Sequence, residues 1–282
     1  MALLSLQEAA VSIAPNTPQL APLLSGSPCW VERSVDDLKG AIEFYTGLFG
    51  WHYADDDGYT VAMVDGVPVA GLPQGEPNEW RLYLVTPHAR ATAEKAFHLG
   101  GSVLRNPEDA ADHTQSTVIA DPTGAVVGFR HVPPDWRFGT GGHGAYAWAE
   151  LNTRDGAAAD EFFGELCHYD ITQIGDGHRL DYASWSVEGT EVIGRQKMGR
   201  EFPYGERSHW MVYFNAAPEI GTDSVAYRVL ELGGRVTVEP YDTPFGRITV
   251  VEDHAGVAFS VIDQSRVIEA EPRTEVDDPY DD

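Results

Sequence analysis

Two short stretches of the chain share one chemistry-bearing spacing, Cys29-Trp30-Val31-Glu32 and Ala147-Trp148-Ala149-Glu150. On a β-strand, residues two apart share a face, so each tryptophan would stand beside a glutamate. A carboxylate next to an indole suits gripping an amine or a sugar hydroxyl, or acting as a general base on a bound molecule. Glu32 and Glu150 are therefore the candidate catalytic residues. Two plainer readings stand beside that one: a solvated strand end, or pairing with a nearby arginine such as Arg33. The chain has 10 histidines, but His52, His88, His131, His143 and His254 show no HxH or HxxxH spacing. His98, His168 and His178 fall in helix or loop contexts. His113 opens a strand and could face a cavity, and His209 should point away from the face of Trp210. The 2 cysteines, Cys29 and Cys167, form no CxxC pair and read as buried small hydrophobes. No nucleophile elbow, Walker loop or dinucleotide-binding glycine motif occurs, and the glycine-rich run at Gly139–Gly144 reads as a hinge.

The elements that must position these residues come as an internal repeat. Val35–Trp51 corresponds to Thr153–Tyr169 at constant offset: Asp37 meets Asp155, Phe44 meets Phe162, Leu48 meets Leu166 and Trp51 meets Tyr169. Further along, Gly100-Gly101 meets Gly233-Gly234, Asp121 meets Asp253 and Gly124 meets Gly256. Each unit reads as strand, helix and several strands, then the same again. Asp37 opens a helix whose apolar positions Leu38, Ala41, Ile42, Tyr45 and Leu48 recur at helical spacing. Alternating stretches around Asp65-Gly66 and Glu188-Gly189 read as hairpins. The organisation that follows is an N-terminal extension (1–27), a first unit (28–132), a Pro- and Gly-rich linker (133–143), a second unit (144–263) and an acidic tail (264–282).

The pattern D-L-x-x-A-x-x-F-Y-x-x-L-F-G-W at Asp37–Trp51, Leu99-Gly100-Gly101 and Asp121-Pro122-Thr123-Gly124-Ala125 resembles the vicinal oxygen chelate superfamily, which holds glyoxalases, bleomycin-resistance proteins and dioxygenases. The second unit is similar to fused two-unit glyoxalase-like proteins of actinomycetes. The resemblance implies an α+β fold of tandem glyoxalase-like domains, each of two βαβββ modules whose curled, open sheet forms a cradle. It also implies where metal-dependent members keep their ligands. Those positions fall on Trp30 and Trp148 in the first strands, Trp80 and Trp210 at the strands opening the second modules, and Gly128 and Ser260 in the last strands. None of these is a strong ligand, and indole nitrogen only donates. A shift of one residue would bring Cys29 or His209 to such a position.

The expectation is therefore a metal-free, cofactor-free cradle. The four tryptophans are either core or pocket lining, and as a set they suit stacking against a planar ligand. Trp30, Glu32, Trp80, Trp148, Glu150, Trp210, Gly128 and Ser260 are the expected binding residues for a hydrophobic or aromatic small molecule. The resemblance suggests an antibiotic or other secondary metabolite that is sequestered, resisted or passed along in its biosynthesis. The alternative is an enzyme of the same fold, metal-free or with a metal at a non-standard site, acting on a polyketide-like or aldehyde substrate. A net charge of −25 across 282 residues disfavours nucleic acid and anionic membrane as partners. With 43% hydrophobic residues the chain can bury a real core, and no stretch reads as a signal or membrane span, so a cytoplasmic protein is expected. The two units would form an internal pseudo-dimer in one chain, alone or within a homodimer.

Overall fold

The computed structural model describes residues 18–56, 58–109, 114–175, 177 and 180–267. His113, His178, most of the N-terminal extension and most of the acidic tail lie outside the described residues. After a short strand β1 (Gln19–Leu20), the first unit runs β2 (Pro28–Glu32), α1 (Leu38–Phe49), β3 (His52–Asp56), β4 (Tyr59–Val64), β5 (Val67–Pro73), β6 (Arg81–Val85), α2 (Ala89–His98), β7 (Ser102–Asp109), β8 (Gln115–Ala120) and β9 (Val126–His131). β10 (Gly139–Thr140) leads into the second unit. That unit runs β11 (Tyr146–Thr153), α3 (Gly156–Cys167), β12 (Asp170–Ile174), β13 (Tyr182–Val187), β14 (Thr190–Lys197), β15 (His209–Asn215), α4 (Gly221–Glu231), β16 (Arg235–Thr243), β17 (Gly246–Glu252) and β18 (Ala258–Asp263). The sheet orders match strand for strand: β3-β4-β5-β2-β6-β9-β8-β7 and β12-β13-β14-β11-β15-β18-β17-β16. Each sheet is thus two strand–helix–three-strand modules joined at a central antiparallel pair, β2 with β6 and β11 with β15.

Local chemistry accounts for the repeated elements. Asp37 and Asp155 cap α1 and α3, their side chains accepting from Gly40 N and Ala158 N. The hairpin turns Asp65-Gly66 and Glu188-Gly189 put both residues at positive φ, the twist a two-residue hairpin needs. Asp121 and Asp253 close the last turns in the same way: each Oδ1 accepts backbone N–H groups, from Thr123 and Ala125 or from Ala255 and Val257.

The helices do not serve only their own sheets. α1 packs beside α4 and α2 beside α3. Tyr45 and Phe49 of α1 meet Phe259 of the second unit at 6.0 and 6.1 Å between rings, and Phe49 meets Phe214 at 5.5 Å. Trp51 Nε1 donates to Gly144 O at 2.9 Å, and Tyr169 O–H donates back to Gly26 O at 2.5 Å. Aromatic pairs of this kind add about 0.5–1.5 kcal/mol each beyond the area they bury. One continuous core therefore runs through both units.

Arg33 ties that core together. It is 1% exposed and forms an ion pair with Asp253 of the other unit, whose Oδ2 also accepts from Tyr45 O–H at 2.8 Å. The sequence offered Arg33 as a neighbour for Glu32, but adjacent strand residues point to opposite faces, and Arg33 turns to the helix side. The glycine-rich linker is likewise packed rather than hinged. β10 pairs with β1 and β11, Phe138 is buried, and a Cβ on Gly139 would lie 2.8 Å from Val67. Among the described residues no helix is long and apolar enough to cross a membrane.

Removing one partner of a buried pair strands the other charge, at a typical cost of about 3–5 kcal/mol. Asp253→Ala is expected to destabilise both units together by about that amount, seen as a single shifted transition in urea denaturation. Two separated transitions would show that the units fold independently.

Candidate functional site

The first strand of each unit fixes the centre of its cradle. In β2, Cys29 and Val31 are fully buried on the helix side, leaving Trp30 and Glu32 on the concave face. Trp30 pairs with Tyr83 of β6, and Trp148 pairs with Tyr213 of β15, so those tyrosines share the face. A second tyrosine arrives from the hairpin strand, Tyr59 of β4 or Tyr182 of β13. Glu32 accepts from Tyr83 O–H at 2.5 Å and from Tyr59 O–H at 2.8 Å, while Trp30 Nε1 donates to the Tyr59 oxygen at 2.8 Å. Glu150 repeats the arrangement with Tyr213 at 2.6 Å and Tyr182 at 2.9 Å, and Trp148 Nε1 donates to Tyr182 at 3.3 Å. Both carboxylates are buried, which removes the solvated-end reading.

Glycine makes this possible. A Cβ on Gly71 would fall 1.9 Å from the Tyr59 hydroxyl, and one on Gly194 would fall 2.0 Å from the Tyr182 hydroxyl. Gly128 similarly leaves room for the Tyr83 ring, 2.2 Å from where its Cβ would stand. Ser260 occupies the matching place beside Tyr213, its hydroxyl buried and without a partner.

The cradles share this centre and differ in everything around it. Across β7, β8 and β9 the first cradle carries Arg105, Ser116 and Arg130. The matching positions across β16, β17 and β18 are Val238, Ile248 and Ile262, with Ser116 opposite Arg130 just as Ile248 is opposite Ile262. Arg130 lies 3.6 Å from Glu32 and over the rings of Tyr83 and Trp136. Trp136, from the linker, donates to Cys29 O and sits edge-on to Trp30 at 5.5 Å, with Phe138 at 5.8 Å. The first cradle is thus plugged by its own linker. In the second, Glu150 forms no ion pair among the described residues. Its wall is Tyr213, Ile248 and Ile262 with Ala147, Trp148 and Met211. Phe245, 49% exposed at the tip between β16 and β17, stacks on Tyr182 from the opposite edge of the sheet at 5.8 Å. The sheet curls far enough for its two edges to meet through these rings.

Electrostatics follow from burial. Desolvation raises the Glu150 carboxyl above its ordinary value, and donation from Tyr213 and Tyr182 only partly offsets this. Tyr213 is pushed well above the usual phenol range by burial and by the neighbouring Glu150. The thiols of Cys29 and Cys167 are both pushed up to about 12 by burial, so neither is a ready nucleophile.

Of the residues picked from sequence, Trp30, Glu32 and Gly128 gather around Tyr83, and Trp148, Glu150 and Ser260 gather around Tyr213. Trp80 and Trp210 are not with them. Each stands on the helix side, Trp80 against Tyr45 and Phe214, Trp210 against Phe163 and Trp185. The reason is parity: Trp210 pairs with Leu151, whereas His209 pairs with Asn152 on the concave side. His209 accordingly comes within 3.4 Å of Asn152 Nδ2. A divalent ion of the kind the fold implies finds no fitting donor set. Both oxygens of each glutamate already accept from tyrosine, and no three His, Cys, Asp or Glu converge among the described residues. Sequence reasoning missed the four tyrosines, although the repeats W-x-x-Y at Trp80–Tyr83 and Trp210–Tyr213 carry two of them.

Comparison with known proteins agrees with this architecture. A sequence profile described as a glyoxalase-like domain matches residues 30–128. The anthracycline biosynthesis protein DauV of Streptomyces sp. (strain C5) is 31% identical over 268 residues, covering 84% of this chain and 93% of DauV. Among solved structures, a Mn(II)-bound glyoxalase from Novosphingobium aromaticivorans superposes with TM-score 0.59 at 13% identity, over 88% of this chain and 89% of that one. An extradiol ring-cleaving dioxygenase from B. fuscum gives 0.62 at 16% identity, over 91% and 75%. At such identities these structures speak to the fold.

A carboxyl whose folded pKa is raised adds stability below its unfolded value, here 4.5, and loses it as pH climbs through the folded value. Glu150→Gln removes that loss. Its melting temperature relative to the native chain is expected to rise by several degrees from about pH 4.5 to pH 8, because each tenfold change in a proton's affinity is worth about 1.4 kcal/mol. A difference constant across that range would contradict a desolvated Glu150.

Proposed function

This chain belongs to the glyoxalase-like family of the vicinal oxygen chelate superfamily, and within it we propose a protein that binds one neutral, planar aromatic metabolite in the cradle of its second unit. The observation that carries this reading is the apolar row in place of the cationic one. Ile248 and Ile262 pack with Tyr213 and the indole of Trp148, Phe245 stacks on Tyr182, and the carboxyl of Glu150 with its two phenols is the polar group at the centre. Pockets of this make-up, mostly apolar with a few aimed polar groups, suit small molecules. Phe245, exposed and carried on a hairpin tip, is the part of the wall that swings aside to admit the ligand. The name of DauV speaks of anthracycline biosynthesis, and anthracyclines are fused-ring aromatics, so sequestration or handling of such a molecule is the role we assign.

A second reading is favoured by one observation. Glu150, desolvated and bonded to two phenols, is a proton donor and acceptor held where a ligand's carbonyl or hydroxyl would lie. On that reading the bound molecule is also turned over, with Glu150 as acid–base and no metal.

Titration with 1,4-dihydroxyanthraquinone, followed by quenching of tryptophan fluorescence, tests the site. Saturation at one ligand per chain is expected, weakened about tenfold by Trp148→Ala and several-fold by Phe245→Ala, as loss of aromatic contacts predicts. Equal affinity in both variants would remove the second cradle as the site. Mass spectrometry of the recovered quinone separates holding from turnover.

A further inference from the structure

We propose that the first cradle is a second binding site of different chemistry, taking the carboxylate of an aromatic acid on Arg130 and Arg105. Arg130 is 9% exposed, yet its guanidinium donates no hydrogen bond to any described residue, and its Nε is buried without a partner. What surrounds it is Glu32 at 3.6 Å and the rings of Tyr83 and Trp136, at 4.7 and 5.3 Å from the guanidinium carbon. A guanidinium carries five N–H donors in a planar fork, and leaving buried donors unused is costly. The fork matches a carboxylate.

The neighbours favour an anion. Arg105 donates from Nη2 to Tyr83 Oη at 3.0 Å and to Ser116 Oγ at 3.2 Å, so Arg105, Ser116 and Arg130 form a row across three adjacent strands. The carboxylate in contact with Arg130 among the described residues is Glu32, whose oxygens are taken by two tyrosines. Arg105 and Ser116 are partly exposed, so the row opens to solvent where the linker plug does not cover it. A monoanion suits this place better than a phosphate dianion, because Glu32 stands 3.6 Å from Arg130. Trp136, partly exposed beside Arg130, offers a ring-bearing ligand its second contact. Since Val238, Ile248 and Ile262 stand at the matching places in the second cradle, an acid bound here does not compete with a neutral ligand there.

Isothermal titration of the full chain with benzoate, acetate and inorganic phosphate tests this. One benzoate per chain is expected, bound at least threefold more tightly than acetate or phosphate, and with the same isotherm when the anthraquinone is present. Arg105→Met and Arg130→Met should each weaken benzoate at least tenfold; if Arg130→Met does not keep its circular dichroism, Arg105→Met alone decides. Absence of saturation, phosphate binding as tightly as benzoate, competition by the quinone, or unchanged affinity in the folded variants would overturn the proposal. Because benzoate is titrated with and without the quinone, failure of either site is read separately from the other.

Discussion

A carboxylate taken out of water must be given donors, and in this chain that requirement organises each cradle. Glu32 and Glu150 each recruit two tyrosine hydroxyls from different strands, and each of the flanking tryptophans donates to one of those hydroxyls. Tyr59 and Tyr182 can reach inward only because Gly71 and Gly194 leave their places empty. The indoles of the two first strands are thus part of the scaffold of the site: Trp30 and Trp148 fix a phenol that fixes a carboxylate. In the second cradle the same indole also forms wall.

Around that common centre the two units have separated in chemistry while keeping register. The strand row that holds Arg105, Ser116 and Arg130 on one side holds Val238, Ile248 and Ile262 on the other. Glu32 has a cation beside it, and Glu150 has only phenols. Glu32 is half of an ion pair, and desolvation raises the Glu150 carboxyl. The interface between units shows the same loss of symmetry. Arg33 answers Asp253, but the position corresponding to Arg33 is Leu151, and Asp121 keeps a buried Oδ2 without a partner and a raised pKa.

The repeat, the hairpin turns and the helix caps were legible in the sequence because each rests on local chemistry within a few residues. The tandem glyoxalase-like fold followed from those landmarks together. Trp30, Glu32, Trp148 and Glu150 were legible too, since alternation within one strand decides their face. Trp80 and Trp210 were not, because alternation counted from an assumed strand start is ambiguous by one, and large aromatics serve the helix-side core as readily as a pocket. The plugging of one cradle by Trp136, and the partnership of Arg33 with a residue 220 positions away, depend on how the chain closes on itself. No local pattern announces such contacts.

The interlocked core bears on how such a protein can change over generations. In a dimer of identical single-unit chains, any substitution in a cradle appears in both copies at once, so a gain at one site is also imposed on the other. Fusion removes that constraint. Once α1 is lodged against the second unit and Tyr169 against the segment that leads into the first, partner exchange is closed off and each half is inherited with a fixed mate. An arginine can then be retained in one half at the very position where isoleucine is selected in the other.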